Sequence, residues 1–451
     1  MRVMTPIFSG MLITMACAHT QAMTLSEAIQ STVDYHPEIQ ANISSRLSSD
    51  EEVKVAKGGY LPVVDALGGY GRERSDNPTT RSLGDHHKET LTYSAAELRL
   101  RQMLFDGFNT PNEVARTKAV SNSRAYYLQG TAESLALRTV EVYLEVLKRR
   151  EMVTLAKNNL QTHTRIGDQI GLRKDRGVGS TADLDQSEAR LALAKNNLYT
   201  EQVNLADAEA NFYSAVGRMP DELVAPTTVK GEIPENQLAA RQMMMDNNPL
   251  LKSAQADVNA AEKQYEVAKS PFYPRFDAEL ATHADDSVAG DEGHDTGWRA
   301  GLVMNYNLFN GMRDKARLQS SSYQINQAMD IRNNALRQLN ENVMLAWNAM
   351  ENARQQTPTA REYADYTARV REAYQQQFGL GQRTLLDVLD SENELFTANR
   401  RYVEVRYTEE FSMYRLLAAT GELLRKQGTV LPAEATALSA VKSEAHLPDL
   451  K

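Results

Sequence analysis

In the stretch GLGQRTLLDVLD, Gly379 to Asp390, a base and two acids share one helical stripe: Asp387 and Asp390 stand three residues apart, one turn beyond Arg383. Side chains three and four residues apart on a helix are neighbours, which raises the question of why an otherwise apolar helix carries two acids on one stripe with a base just upstream. A purely local account exists. Thr384 is placed to cap the helix with Asp387 three residues later, acids near a helix N-terminus interact favourably with its dipole, and Arg383 is placed to pair with Asp387. That account explains Asp387 and leaves Asp390 without a role.

Elsewhere the chain offers little chemistry. No nucleophile stands with a base, no phosphate loop or metal-ligand framework occurs, and no pair of carboxylates is placed for acid–base work. The expectation is therefore not an enzyme, with no catalytic residue, cofactor or metal. His86 and His87 are adjacent in a polar loop without supporting ligands and read as solvated. A net charge of -9 argues against a nucleic-acid partner, because phosphate binding needs a basic surface.

The first 22 residues carry a basic Arg2, an apolar run from Ile7 to Ala18, and small or polar residues up to Ala22, the pattern of a secretory signal peptide. Cys17, the only cysteine, lies inside it. The TMAC stretch leaves a lipid anchor open, although Thr14 stands where such signals usually have a large aliphatic residue. Cleavage at Ala22 would leave no thiol for a disulfide or a metal. No later run of about 18 apolar residues occurs, so a membrane would be met by a β-barrel or from its surface.

The elements that must position the stripe come in duplicate. His36 to Ala66 matches Asn248 to Ala278 without a gap at an offset of 212; LFDG (Leu104 to Gly107) matches LFNG (Leu308 to Gly311) at 204; VGSTADLDQSEA matches LGQRTLLDVLDS at 202. The last match pairs Asp185 with Asp387. Order is kept throughout, as duplication would leave it. Each half reads as helix, strand, loop, strand, long helix, turn and helix.

The strands rest on alternation. Phe276, Ala278, Leu280 and Thr282 share one face against Asp277, Glu279, His283 and Asp285; Trp298, Ala300, Leu302, Met304, Tyr306 and Leu308 face away from Arg299, Asn305 and Asn307. A soluble sandwich shows the same alternation, but strands of about 9 to 13 residues exceed its usual 5 or 6 and match a tilted bilayer crossing. Trp298 and Tyr306 near the strand ends suit an interfacial girdle. The helical stretches run some 60 residues, or about 90 Å, which asks for coiled-coil packing. Pro358 should bend or break the second. Gly177 with Gly179, and Gly379 with Gly381, turn each long helix back into a hairpin. Four strands cannot close a barrel, since about eight are needed, so a membrane reading forces oligomerisation.

The organisation expected is a signal peptide over 1–22 and a first repeat over 23–235, with strands at about 60–73 and 92–105 and a helical hairpin over 110–216. A second repeat follows over 236–421, with strands at about 272–284 and 297–309 and a hairpin over 311–421; a flexible tail over 422–451 closes the chain.

With these elements in order, the chain resembles the TolC family of outer-membrane channels. The motifs are TLSEAIQSTVDYHPEI at the start, the paired YLP and FYP strand starts, LFDG and LFNG, GLGQRTLLDVLDSENEL, and the closing YRLLAATGEL. The resemblance implies a mainly α fold with a membrane β-barrel: a homotrimer, four strands per protomer in one shared barrel, and a coiled-coil periplasmic tunnel. It also implies that Arg383 is a gate arginine, that Asp185 is its partner across protomers, and that Asp387 and Asp390 form an acidic ring at the pore entrance. Phe378 stands where some members carry a gate tyrosine, and Leu184 supplies no hydroxyl before Asp185, so closure would depend more on charge pairs and apolar packing.

The function expected is the outer-membrane exit duct of a tripartite export system, working with a periplasmic adaptor and an inner-membrane transporter. The YNLFNGMRDKAR stretch looks most like the type I secretion branch, which uses an ABC transporter and includes exporters of large adhesins. A proton-driven multidrug pump is the alternative partner. A periplasmic coiled-coil adaptor or scaffold is the reading from another class, and would need one hairpin with compact soluble β-domains. Cargo and transporter are beyond the sequence.

Overall fold

The computed structural model describes residues 22–82 and 88–447; Cys17, His86, His87 and all of the expected signal peptide except Ala22 lie outside the described residues. The described chain runs α1 (Leu25–Tyr35), α2 (Pro37–Gly58), β1 (Val63–Ser75), α3 (Pro78–Ser82), β2 (Glu89–Phe105), α4 (Asn109–Asp175), α5 (Thr181–Val216), α6 (Gln237–Asn247), α7 (Pro249–Ala268), β3 (Arg275–Asp286), β4 (His294–Asn305), α8 (Arg313–Gly379), α9 (Leu385–Thr420) and α10 (Leu423–Lys426).

The helices keep one register across the duplication. Helices α4 and α8 are both 67 residues long and α5 and α9 both 36. Their starts, 109 with 313 and 181 with 385, stand 204 apart in each case. The left-handed residues follow the same step: Gly107 with Gly311, Phe108 with Met312, Gly177 with Gly381, Gly217 with Gly421. The offset of 202 expected around the hairpin turn is therefore corrected to 204. Asp183, not Asp185, is the structural mate of Asp387. The repeated pair Ser187-Glu188 and Ser391-Glu392 carries this register, and both serines are buried with their hydroxyls on the carbonyl three residues back, 2.9 and 2.8 Å.

The chain forms two compact units. One, comprising Val33–Leu137, Lys230–Asn352 and Ser412–Lys451, holds a single antiparallel sheet of order β1-β2-β3-β4. Residues opposite each other across the ladder share a face, so Ala66, Leu98, Thr282 and Trp298 form one row of one face, and Asp65, Arg99, Ala281 and Arg299 a row of the other. The sheet is inside out compared with a soluble sandwich. On the apolar face Trp298 is 76% and Leu302 64% exposed, whereas on the charged face Asp277 and Ala281 are each only 3% exposed. The charged face is internally paired: Arg275 holds Asp277 in a fork, Glu97 accepts from Arg99 and Arg299, and Arg101 reaches Glu279. Gly71 leaves room on that face for the Tyr93 ring, which a Cβ would meet at 2.9 Å.

Strand β4 ends at Asn305, so Tyr306 and Leu308, expected within a strand reaching 309, lie beyond it. The side chain of Asn307 turns the chain there by accepting from the Phe309 amide, and Gly311 and Met312 then adopt left-handed conformations. The tail is another correction, being packed where a flexible segment was expected. Asn122 accepts from the Leu438 amide at 2.7 Å, Tyr126 from Val441 at 3.1 Å and Gln255 from Glu444 at 3.1 Å, while Val441 packs on Tyr126 and Ala256. Its small apolar residues bury well enough to hold it.

Among the described residues the other unit, which takes in the chain up to Thr32, Arg138–Val229 and Ala353–Phe411, is helical. Tyr143 is fully buried, donating to the carbonyl of Met23 or Val224 at 2.7 and 2.6 Å and lying against Phe212. Glu201 of α5 is buried between Arg149 of α4 and Arg400 of α9. Pro358 does not break α8, which continues unbroken to Gly379.

Candidate functional site

Both hairpin turns are built from the same backbone parts. At the end of α4 the Gly177 amide donates to Lys174 and the Val178 amide to Arg173, 2.8 and 3.0 Å; at the end of α8 the Gly381 amide donates to Phe378 and the Gln382 amide to Gln377, 3.0 and 2.9 Å. These paired bonds satisfy the last helical carbonyls and require a left-handed residue, hence glycine at both positions. Ser180 then caps α5 by accepting from the Asp183 amide at 3.0 Å. Thr384 caps α9 more completely. Its hydroxyl accepts from the Asp387 amide at 3.3 Å, while the Asp387 carboxylate accepts from the Thr384 amide and hydroxyl at 3.1 and 2.8 Å.

This reciprocal cap holds the Asp387 carboxyl below its usual range, first through the Thr384 hydroxyl, then through the amide, with a smaller contribution from Arg383. Asp390 is placed differently. It accepts from Nη2 of Arg190 on α5 at 2.8 Å, an ion pair joining two hairpins. Arg383 lies over the Tyr374 ring at 4.2 Å and donates through Nε to Gln377 at 2.9 Å. Asp183 and Asp185 have no carboxylate partner among the described residues. Phe378, half-buried, packs on a core of Ile166, Ile170, Leu385, Val388 and Leu389, with the Arg173 guanidinium 4.6 Å above its ring. A cavity of about 540 Å³ opens between α4 and α8 there, edged by Arg165, Arg173 and Arg176.

Of the residues expected at the site, Phe378, Arg383, Asp387 and Asp390 thus gather around the end of the second hairpin, though Asp387 and Asp390 have separate partners. Asp185 does not join them within the chain. Sequence reasoning missed Asp183, Arg190, Tyr374 and Glu392. Glu392 is buried beside Gln375 at 2.6 Å, and burial pushes its carboxyl up against the opposing pull of Arg371 and Arg165. The repeated Ser-Glu pair was the available signal for the true register; nothing in the sequence indicates that α5 and α9 lie side by side at Arg190. Among the described residues no group of three or more His, Cys, Asp or Glu could hold a metal ion, and no helix is long and apolar enough to cross a membrane.

The model of the family described as Outer membrane efflux protein matches residues 28–218 and 240–422. The chain is similar to the outer membrane efflux protein BepC of Brucella suis, 25% identical over 93% of this chain and 90% of that one. It is also similar to the alkaline protease secretion protein AprF of Pseudomonas aeruginosa, 22% identical over 94% and 89% of the two chains. Among solved structures, the CmeC outer membrane channel of Campylobacter jejuni superposes with a TM-score of 0.76 at 13% identity, covering 91% of this chain and 90% of that one, a likeness of fold.

Proposed function

We propose, because this chain belongs to the outer membrane efflux protein family, that three copies close one β-barrel in the outer membrane and continue as a periplasmic tunnel, forming the exit duct of a type I protein secretion system. One observation carries the reading: a four-stranded sheet with its apolar face outward and the outer edges of β1 and β4 without a partner strand among the described residues. In a bilayer neither edge can be left open, so β4 of one copy must pair with β1 of the next until the cylinder closes. Trp298 and Tyr306 then anchor the lipid-facing band at its borders. An ABC transporter and a periplasmic adaptor deliver the cargo. The protease-secretion relative and the YNLFNGMRDKAR stretch favour that branch over drug efflux, which the name of the Brucella relative favours.

The periplasmic gate is formed by Arg383 and Phe378 of each copy. Its acid partner is Asp185 of the neighbouring copy, as the resemblance implies; Asp183, the structural mate of Asp387, is the other acid of that turn. Exposed ion pairs contribute about 0.2 to 1 kcal/mol each, so three symmetric sets make a latch of about 1 to 3 kcal/mol, within reach of a docking partner.

The test is a detergent-stable trimer from outer-membrane fractions that gives single-channel conductance in a planar bilayer; a compact monomer released by osmotic shock would refute the duct. Arg383→Ser with Asp185→Ala should raise conductance above wild type, and a wild-type level would remove the two residues from the latch. A deletion strain separates the branches: loss of one secreted protein supports type I secretion, and drug hypersensitivity with secretion intact supports efflux.

A further inference from the structure

Asp387 and Asp390 are not equivalent carboxylates. The first is tied into the cap of α9 through both the amide and hydroxyl of Thr384. The second faces a guanidinium from another hairpin: Arg190 Nη2 stands 2.8 Å from its Oδ1, with the arginine side chain 29% and the aspartate 56% exposed. The Arg190 charge also acts on His163 of α4. That imidazole is 4% exposed, its Nδ1 has no partner, and burial and then the Arg190 charge push its pKa down, so it stays neutral. A neutral ring adds no second positive charge beside the guanidinium. Asp390 is the one acid that Arg190 pairs with among the described residues.

The pair is not a relic of the duplication. At the common step of 204, Arg190 corresponds to Glu394 and Asp390 to Gln186, so the equivalent place in the other half holds a glutamate and a glutamine and cannot form the pair.

We propose that Arg190 is a specificity-determining residue of the conduit's periplasmic entrance, a fixed counter-charge that cancels Asp390 and thereby weakens the hold of the entrance on multivalent cations. The inference rests on the channel reading above. With Arg190 present, the Asp390 carboxylate of each copy faces a guanidinium of its own chain at 2.8 Å. Without it, three copies leave three uncompensated carboxylates around one opening, and charges of that number within several ångströms of a trivalent ion bind it on the order of tenfold more tightly even in water.

The experiment is block of single-channel current by hexaamminecobalt(III), added on the periplasmic side of the full-length protein in a planar bilayer. Arg190→Gln should lower the half-blocking concentration about tenfold. Arg190→Lys should stay near wild type, and Arg190→Gln with Asp390→Asn should return to it. Arg190→Cys should block as tightly as Arg190→Gln, and aminoethyl methanethiosulfonate, which restores a cation to the same folded channel, should reverse the effect. Unchanged block in Arg190→Gln, or block in Arg190→Cys that the reagent does not relax, overturns the proposal. A wild-type protein giving no channel at all would instead refute the duct reading, so the two failures are distinguishable.

Discussion

The turns at Gly177 and Gly381 share a backbone and differ in almost every side chain that reaches solvent. Both have a left-handed glycine, a hydroxyl cap three residues on, an acid at the third helical position and a buried serine four residues later. Around this frame, Gly179 corresponds to Arg383 and Lys174 to Phe378. The first turn is too tight for a side chain at Gly179, where a Cβ would stand 2.9 Å from the Lys174 nitrogen. Duplication preserved the atoms that close the helix ends, because losing them leaves buried polar groups unpaired. The exposed positions were free to diverge, and the second turn acquired the arginine, the aromatic platform and the closed capping box.

The same contrast recurs deeper in the hairpins, where it carries the largest energy. Glu201 and Val405 are mates at the step of 204, and both are buried. Val405 is apolar, while Glu201 pairs with Arg149 at 3.3 Å and Arg400 at 3.1 Å. Glu201→Val would make the halves alike and leave two guanidiniums without their shared carboxylate. It should cost about 3 kcal/mol, somewhat less than a fully buried pair because both arginines are partly exposed. Thermal dissociation of the purified protein measures it. If Glu201→Val together with Arg149→Met and Arg400→Met is as damaging as Glu201→Val alone, the loss is one of packing and not of stranded charge.

A smaller effect tests whether the two turns are the same backbone. Gly177→Ala and Gly381→Ala each force a Cβ into the left-handed region, at about 1 to 2 kcal/mol. Neither site has any atom within 4 Å of that Cβ, so the two penalties should agree. Hydrogen exchange of the first-turn amides of α5 and α9 reads both. A penalty present at one turn only would break the equivalence on which the corrected register stands.

The sequence made the architecture legible because its signals are periodic and long. Alternation in Phe276 to Thr282 and in Trp298 to Met304 located two strands whose apolar face is exposed, and the glycine pairs located the hairpins. Register was harder. Matching DLDQ to LLDV by residue identity slips two positions and pairs Asp185 with Asp387, whereas the cap hydroxyls and the αL glycines pair Asp183 with it. Identity counts letters; the fold counts hydrogen bonds at helix ends. The Arg190 pair was illegible for another reason, since contacts between helices 200 residues apart depend on packing that no local pattern encodes.

The smallest effect concerns the two caps under acid. The Asp387 carboxyl has a folded pKa below the ordinary 3.8, set by Thr384, so its contribution to the first turn of α9 is fully present above pH 3.8 and is lost as pH falls through the folded value. The Ser180 hydroxyl that caps α5 does not titrate. Between pH 5 and pH 2 the amide of Asp387 should therefore lose exchange protection relative to that of Asp183. Thr384→Ala removes the acceptor hydroxyl and one donor to the carboxylate, costs about 1 kcal/mol at neutral pH, and should flatten the acid response. Equal fraying of both turns in acid would mean that the reciprocal cap on α9 is not a real asymmetry. The second hairpin would then differ from the first only in the side chains around its turn, Arg383 and Asp390 among them, and not in how firmly that turn is held.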